Sequence, residues 1–337
     1  MRRDARRLRI LTWHVHGSYL YYLTHVRHDF YVPVKPGRPA GYGGRAGSFP
    51  WPENLHEVPA AELHRLQLDC VLYQSARHYL VDAPELLSDD QLALPAIYLE
   101  HDPPREHPTD TRHPVDDRSV LLVHVTPFNA LMWDSGETPT RVIEHGVTVP
   151  PDARYTGTIP RGIVVVNNLA SRGRRLGADV FSAVSSRIPL DLVGMDAEAM
   201  GGLGEVEPPE LARFAARYRF FFNPIRYTSL GLAICEAMMA GMPIVGLATT
   251  ELVTVVENGV SGWIDTSVDP LIERMNALLA SGAEARRLGE GARRTAMRRF
   301  GIDRFARDWA DAFALVTGTT APRIAAREPM AVEGVPS

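Results

Sequence analysis

An acidic side chain interrupts an apolar stretch in the second half of the chain, TSLGLAICEAMMAGMPIV, which covers residues 228–245. If a helix begins at Leu230, its apolar residues recur at spacings of three and four, and most of the others are glycine or alanine. A helix of this composition is expected to be buried. A buried glutamate is rare unless something binds its carboxylate, so Glu236 is the first candidate for a functional residue.

The segment before this helix has the features of an anion site. A strand that ends at Asn223, the loop PIRYTS and a helix that opens at Leu230 and Gly231 would bring free backbone N–H groups to the carboxyl edge of a parallel sheet. Gly231 would allow a phosphate to approach closely, and Glu236, about one and a half turns further along, could accept hydrogen bonds from ribose hydroxyls. A nucleoside diphosphate satisfies both features. A buried ion pair between Glu236 and an arginine explains the carboxylate equally well.

The composition is that of an ordinary globular protein. The chain has 337 residues, of which 45% are hydrophobic and 23% are charged, and this length favours two domains. A net charge of -4 gives no overall reason to expect nucleic acid or an anionic membrane as a partner. Lys35 is the only lysine, so any cation that the chemistry requires must be arginine or histidine.

Cysteine usage and hydropathy indicate a cytoplasmic protein. Cys70 and Cys235 lie in apolar runs and are predicted to be core residues of a reduced protein. The basic N-terminus is followed by ILTWHVHG, which is too short and too polar for a signal peptide, and no run reaches the roughly 18 apolar residues of a membrane span. No spacing of His, Cys, Asp or Glu resembles a zinc or calcium site, so no metal is predicted.

Short strand-like runs alternate with helical patterns, which predicts an α/β protein with parallel sheets built from βαβ units. In the first half these runs are residues 9–15, 29–34, 69–74, 96–101, 120–125 and 141–145. Ser18 is the predicted N-cap of a helix after the first strand. Residues 35–54 are dense in glycine and proline and predict a long loop.

The alternation restarts after a stretch of turn residues at 146–162, which is the predicted linker. Strands are predicted at 163–167, 190–194, 219–223, 243–247 and 262–266, and the last three helices at 269–280, 283–300 and 302–316. We therefore predict an N-terminal domain over residues 1–150, a C-terminal domain over 151–316 and a disordered tail over 317–337.

The stretch around Glu236, together with ELVTVVENGVSGW, resembles the donor-nucleotide segment of retaining glycosyltransferases of family 4, the glycosyl transferases group 1. That family has two glutamates eight residues apart, with GFGL between them. Glu236 stands at the second glutamate, whereas Thr228 stands at the first. The GFGL positions are occupied by Ser229, Leu230, Gly231 and Leu232. The chain also departs from the pattern further on, with Thr254 where Glu is usual and Glu251 where a glycine is usual.

Other segments resemble the family more loosely. RVIEHGV is similar to the VIPNGV segment at the end of the family's first domain, and WHVHGS places Gly17 where a glycine loop faces the donor phosphates. His101 ends a strand at the position where similar enzymes have a histidine near the donor sugar. Asn168 replaces the family's phosphate-binding arginine, so the resemblance requires Arg172, Arg174 or Arg175 to supply that charge, as arginine can do bidentately. A solvated basic turn is the alternative.

The resemblance implies a GT-B fold, in which two Rossmann-like domains face each other across a cleft. It further implies a nucleotide-sugar donor on the C-terminal domain, an unidentified small-molecule, glycan or lipid acceptor on the N-terminal domain, and transfer with retention of configuration, without metal or further cofactor. Nucleic acid is not an expected partner, and any membrane contact would be peripheral. The implied catalytic residues are His101, Arg172, Arg175 and Glu236. The implied donor-binding residues are Gly17, Asn168, Arg174, Thr228, Ser229, Leu230, Gly231, Leu232 and Glu236.

Three other functions stay open on the sequence. A GT-B sugar-nucleotide epimerase or hydrolase would use the same nucleotide site without an acceptor. A non-catalytic GT-B domain that binds a nucleotide or a partner is consistent with Thr228 and Asn168, which replace charged family residues. A sugar phosphorylase would require inorganic phosphate instead of a nucleotide.

Overall fold

A computed structural model describes residues 6–319 and shows two Rossmann-like α/β domains. Residues 320–337, which make up most of the predicted disordered tail, lie outside the described residues, as do residues 1–5 at the basic N-terminus. Within the described part of the chain, no helix is both long enough and apolar enough to cross a lipid bilayer.

The N-terminal domain is built on a parallel sheet of seven strands in the order β3-β2-β1-β4-β5-β6-β7. Its central strands are buried on both faces, which accounts for their near-continuous apolar sequences. The strands are β1 (Arg9–Thr12), β2 (Asp29–Val34), β3 (Leu55–Pro59), β4 (Cys70–Tyr73), β5 (Ala96–Glu100), β6 (Val120–His124) and β7 (Thr140–Val142).

Short helices connect these strands. They are α1 (Gly17–Leu23), α2 (Ala83–Leu86), α3 (Asp89–Leu92) and α4 (Pro127–Met132), with a 3-10 turn at Ala60–Arg65 and a π-helical turn at His78–Asp82. The predicted cap of the first helix is wrong: α1 begins one residue before Ser18, and its N-cap is His16, whose side chain makes no capping hydrogen bond. Tyr19, Tyr22 and Leu23 are buried on its inner face, as their spacing predicts.

The C-terminal domain is built on a parallel sheet of five strands in the order β12-β11-β10-β8-β9. The strands are β8 (Ile159–Val165), β9 (Leu190–Val193), β10 (Tyr218–Asn223), β11 (Ile244–Leu247) and β12 (Gly262–Asp265). The helices are α5 (Leu169–Leu176), α6 (Ala178–Ser185), α7 (Pro208–Ala215), α8 (Leu232–Ala240), α9 (Leu252–Val255), α10 (Val268–Ala280), α11 (Gly282–Arg299) and α12 (Ile302–Thr317), with a 3-10 turn at Ala197–Met200.

The predicted α/β class, the parallel sheets and all eleven predicted strands are confirmed, most of them to within two residues at each end. Strand β3 was missed, because LHEVP lies beside the long loop and alternates only weakly. The helix that carries Glu236 begins at Leu232, two residues later than predicted. Cys70 and Cys235 are free and fully buried, as expected of core residues. The predicted domain limits at residue 150 and residue 316 stay predictions.

The last helix returns to the N-terminal domain. Phe305, Trp309 and Phe313 on α12 are completely buried. The indole of Trp309 donates a hydrogen bond of 3.2 Å to the hydroxyl of Tyr19 on α1, and the ring of Phe313 packs against Phe30 of β2. Helix α12 therefore anchors the end of the C-terminal domain to the first sheet.

Prediction for the helix anchor. Gly146 lies in the segment that leaves the first sheet, and a Cβ atom there would overlap the side chain of Phe305 on α12. Gly146→Ala is expected to lower the free energy of unfolding by about 1 to 3 kcal/mol, the usual cost of overpacking. Denaturant unfolding measures it. Gly43→Ala is the control, because its Cβ would make ordinary contacts, 3.4 Å from Ala46 and 3.6 Å from the ring of His14. Equal stability of the two variants would contradict this account of the packing.

Candidate active site

Each sheet has one position where the chain order of its strands reverses, and the candidate residues lie there. In the second sheet this point falls between β8 and β10, and in the first sheet between β1 and β4. Loops at such a switch point diverge to opposite faces of the sheet and leave a crevice at the carboxyl ends of the strands. Residues 166–168 and 224–231 follow β8 and β10, and residues 13–17 and 74–77 follow β1 and β4.

Glu236 lies on α8 with 9% of its surface exposed. Its Oε1 atom accepts a hydrogen bond of 2.8 Å from the hydroxyl of Tyr22, which comes from α1 of the other domain. The same hydroxyl lies 3.2 Å from the carbonyl oxygen of Thr148, a second and more distant acceptor for its single proton. Within residues 6–319 no arginine or histidine forms an ion pair with Glu236, so the structure does not support the alternative of a buried ion pair.

Burial dominates the electrostatics of this carboxylate. Removal from water raises the pKa of Glu236 from 4.5 to about 7, although the hydrogen bond from Tyr22 acts in the opposite direction. The pKa of the Tyr22 hydroxyl is raised well above 10, first by burial and then by the charge of Glu236. A ligand that donates further hydrogen bonds to Glu236 would therefore stabilise its ionised form.

Glu236 lines a pocket between the two domains, which we call the Glu236 pocket. Its volume is about 260 Å³, and its lining combines apolar and polar residues: Ser18, Val165, Asn167, Val193, Gly194, Glu205, Val206, Pro208, Leu211, Gly231, Leu232, Ala233 and Glu236. Small-ligand sites have this character, with apolar walls and a few polar groups that fix orientation. A second cavity of about 240 Å³, next to the aromatic rings of Tyr21 and Phe49, shares Ser18, Pro208 and Glu236 with it.

The loop before α8 presents open backbone to this pocket. Gly231 is the N-cap of α8, and a Cβ atom on it would meet no atom within 4 Å, so space for a ligand adjoins the helix N-terminus. The Ser229 hydroxyl is buried without a hydrogen-bond partner in the described chain. The carbonyl oxygen of Leu230 accepts a 2.7 Å hydrogen bond from Nε2 of His145. Thr228 is half-buried in the same loop, and Leu232 lines the pocket.

The three arginines of the basic cluster have different surroundings. Helix α5, which carries them, begins after Asn168 and kinks at Gly173, and both residues have positive φ. Arg174 points to an exposed ion pair, 2.6 Å from Asp179. Arg172 and Arg175 are half-buried, and neither guanidinium forms a hydrogen bond or an ion pair in residues 6–319.

The free arginines affect each other electrostatically. Burial lowers the pKa of Arg172, and the neighbouring charge of Arg175 lowers it further. Asp102, across the cleft, has the opposite effect on Arg172. The backbone of Arg175 is held in place, because its carbonyl oxygen accepts hydrogen bonds from the amides of Arg226 and Tyr227. Two unpaired cations therefore lie beside the loop that precedes α8.

His101 and Gly17 lie on the opposite side of the cleft. His101 follows β5 and packs edge-on against His16 and Tyr19, with ring centroids 4.7 and 4.9 Å apart. Burial and the neighbouring histidines lower its pKa well below 6.5, so the ring is neutral at neutral pH. Gly17 is the first residue of α1, and a Cβ there would lie 2.7 Å from the ring of Phe49. Both are candidate site residues that the structure places near the first switch point.

Contacts between the domains hold the two sides together. The hydroxyl of Tyr227 donates to the carbonyl oxygen of Pro104 at 2.9 Å, and the amide of Phe128 donates to buried Glu251 at 3.0 Å. Sequence reasoning missed Tyr22, the partner of Glu236, because its spacing on α1 indicates only a core residue. The carboxylate that faces it is 214 positions away.

No group of three or more His, Cys, Asp or Glu side chains within residues 6–319 is arranged to hold a metal ion.

Prediction for Glu236. Because its pKa is raised from 4.5 to about 7, the folded protein holds a proton that the unfolded chain has lost between those values. The free energy of unfolding should therefore fall by about 3 kcal/mol as the pH rises from 4.5 to 7. This contribution is isolated by measuring the free energy of unfolding of wild type and of Glu236→Gln at pH 4.5 and pH 8. The titration of all other groups cancels in the difference between the two proteins. Glu273→Gln, on an exposed part of α10, is the control. If the difference in the free energy of unfolding between wild type and Glu236→Gln were the same at both pH values, Glu236 would have an ordinary pKa.

Comparison with known proteins agrees with this arrangement. The family described as Glycosyl transferases group 1 matches residues 178–281, which include Glu236 and the loop before it. A D-inositol 3-phosphate glycosyltransferase from Xylanimonas cellulosilytica is 39% identical over an alignment of 118 residues that covers 33% of this chain. The match spans only 28% of that relative's length.

Solved structures resemble almost the whole chain. Sucrose-phosphate synthase from Thermosynechococcus elongatus superposes with a TM-score of 0.66 at 16% identity. The superposition covers 93% of this chain and 100% of the synthase chain. The Anabaena protein Alr3699/HepE, in complex with UDP-glucose, has a TM-score of 0.67 at 14% identity and covers 92% of this chain and 100% of its own. The chain therefore has the GT-B fold of two Rossmann-like domains, and its residues 178–281 match the glycosyl transferases group 1.

Proposed function

We propose that the protein is a glycosyltransferase that moves a sugar from a nucleotide-sugar donor to an acceptor. The observation that carries the proposal is Glu236. This buried carboxylate, which has no cationic partner in the part of the chain that the structure describes, lines a ligand-sized pocket next to an open helix N-terminus. Ribose hydroxyls can donate the further hydrogen bonds that a buried carboxylate needs, and a helix N-terminus attracts an anion such as a diphosphate. The complex of HepE with UDP-glucose supports this class of donor.

The proposed donor extends across the cleft from the Glu236 pocket. Its base packs between the apolar walls, near Val206 and Leu211, and its ribose hydroxyls donate to Glu236. The diphosphate lies between the amides near Gly231 and the guanidinium groups of Arg172 and Arg175. The transferred sugar lies towards Thr228, His101 and Gly17.

The proposed reaction retains the anomeric configuration and needs no metal ion or further cofactor, as in family 4. The bond between the sugar and the diphosphate breaks early, so negative charge develops on the leaving phosphate. Arg172 and Arg175 are suited to stabilise that charge, since neither guanidinium forms a hydrogen bond or an ion pair within residues 6–319. Neutral His101 contacts the sugar without adding a second positive charge beside the anomeric carbon.

The proposed acceptor is a small molecule, a glycan or a lipid that enters from the N-terminal domain, and the transferred unit is a hexosyl or related group. We further propose a bacterial, cytoplasmic protein with at most peripheral membrane contact and no nucleic-acid partner. Two substitutions favour a second candidate, a GT-B domain that binds a nucleotide without transfer. Thr228 and Asn168 stand where the family has charged residues that contact the donor.

Prediction for donor binding. A thermal-shift screen of nucleotide-sugars should find one that stabilises the protein, by about 2.7 kcal/mol at 100 times its dissociation constant. Glu236→Gln should weaken that binding at least about tenfold, because charge-assisted hydrogen bonds to ribose are lost. Product analysis then separates transfer from hydrolysis and epimerisation. Binding without turnover for any acceptor would favour the non-catalytic alternative. If no nucleotide-sugar or free nucleotide bound, both candidates would fail.

Prediction for the arginines. Arg172→Ala and Arg175→Ala should lower kcat more than they weaken donor binding, because the phosphate charge grows in the transition state. The loss of one such contact typically costs about 10²- to 10³-fold in kcat. Arg174→Ala is the matched control from the same helix, since its side chain pairs with Asp179 and it should keep nearly full activity. Unchanged rates for all three variants would move the phosphate site elsewhere.

Prediction for Thr228. Thr228 retains hydrogen-bonding ability but lacks the negative charge of the family's glutamate, so we expect an unusual donor sugar or slow catalysis. Transfer rates of Thr228→Glu across a panel of donors test this, and we expect the preferred sugar to change. Thr228→Ser keeps the hydroxyl and should keep the wild-type preference. If Thr228→Glu altered the rate with no donor, Thr228 would lie outside the sugar pocket.

A further inference from the structure

A buried glutamine connects the first switch point to His101. Gln74 follows β4 and is 5% exposed. Its side-chain oxygen, Oε1, lies 3.0 Å from Nε2 of His101. Its side-chain nitrogen donates to the hydroxyl of Thr12 and to the carbonyl oxygen of Trp13, each at 2.8 Å. All of the hydrogen-bonding groups of this amide are therefore engaged at the carboxyl ends of β1, β4 and β5.

These bonds determine which way the amide faces. A backbone carbonyl oxygen can only accept a hydrogen bond, so the atom of Gln74 that faces the carbonyl of Trp13 must be the nitrogen. The reversed amide would set two oxygens against each other. The atom that faces His101 is consequently the oxygen, which can only accept.

The orientation of the amide determines the tautomer of the histidine. Because Oε1 of Gln74 accepts, Nε2 of His101 must carry the proton. In a neutral ring the other nitrogen, Nδ1, is then an acceptor without a proton. His101 is half-buried, and His16, against which it packs, lies near enough to Arg172 for that charge to lower the pKa of His16. The ring therefore offers an acceptor of fixed identity at the side of the cleft opposite Glu236.

We propose that Gln74 is a positioning residue that holds His101 in the Nε2-protonated tautomer, so that its Nδ1 atom accepts a hydrogen bond from a hydroxyl of the transferred sugar. The contact with the sugar rests on the proposed function, whereas the tautomer does not. Without Gln74 the ring would exchange its proton between the two nitrogens, and a fraction of the molecules would present a donor to the sugar instead of an acceptor.

The tautomer is tested directly by two-bond 1H–15N correlation NMR of histidine-labelled protein at pH 7, with the His101 signals assigned from His101→Gln. The wild-type spectrum should show a protonated Nε2 and an unprotonated Nδ1. Gln74→Met should move both signals towards the opposite tautomer. A wild-type ring that is protonated on Nδ1 would overturn the proposal without any variant, and so would an unchanged spectrum in Gln74→Met.

Gln91 is the matched control. If Gln74 only stabilised the fold, replacing either glutamine should have the same effects. Gln91 has the same 5% exposure and lies in the same domain, and its side chain also donates to two oxygens, the carbonyls of Leu63 and Leu66. Its side-chain oxygen accepts from the amide of Ser88. Gln91→Met should lower stability as much as Gln74→Met but leave the His101 signals unchanged. If both variants changed those signals alike, the effect would be general destabilisation and the proposal would fall.

Calorimetric binding measurements test the sugar contact. Gln74→Met should raise the Kd of the nucleotide-sugar by about two- to tenfold, the effect of one hydrogen bond, and leave the Kd of the matching nucleoside diphosphate unchanged. Equal weakening of both ligands would overturn the contact with the sugar. If wild type bound the diphosphate but no nucleotide-sugar, the contact would likewise be overturned. If it bound neither, the proposed function itself would fail, while the NMR result would still decide the tautomer.

Discussion

The arrangement of the cleft depends on one carboxylate that is buried without a positive charge beside it among the described residues. Among residues 6–319, the neutral hydroxyl of Tyr22 is the only hydrogen-bond donor to Glu236, and burial raises the pKa of this carboxyl to about 7. A core that evolved only for stability would place an arginine or an apolar side chain there, since an unpaired buried charge is strongly unfavourable. The carboxylate is poised between its neutral and ionised forms, and a ligand rich in hydroxyl donors would favour the ionised one.

The rest of the site depends on how the fold places Glu236 beside the cleft between the two domains. In each domain the strand order leaves a crevice at a switch point, and α12 and the contact between Tyr22 and Glu236 hold the two crevices against each other. The charges are separated along the cleft. Glu236 lies on α8, whereas Arg172 and Arg175 lie on α5, where the backbone of Arg175 contacts the loop before α8 at Arg226 and Tyr227. None of the three forms an ion pair within residues 6–319, so the cleft is suited to a molecule that carries both hydroxyls and negative charge.

The sequence predicts the secondary-structure elements better than it predicts which residues of different elements contact each other. Strand positions are readable because a buried parallel strand is a nearly continuous apolar run, as in VLLVH, whereas LHEVP at the first sheet's edge lacks that signal. Glu236 is detectable from the sequence because it breaks an apolar helix. Tyr22 and Gln74 are not, because their roles depend on residues from other elements, 214 and 27 positions away. Likewise, nothing in the spacing of SRGRR indicates that Arg174 turns to Asp179 and leaves Arg172 and Arg175 free.

Two neutral histidines, His101 and His145, lie at the end of the cleft where we propose that the transferred sugar binds. His101 and His145 both have lowered pKa values because burial removes water from their rings. Each donates its Nε2 proton to an oxygen acceptor, His101 to Gln74 and His145 to the carbonyl of Leu230. Two neutral rings with assigned protons provide directional hydrogen bonds without competing for the negative charge that Arg172 and Arg175 are free to bind. In the reaction that we propose, directional neutral contacts suit the recognition of sugar hydroxyls, and concentrated positive charge suits the leaving phosphate.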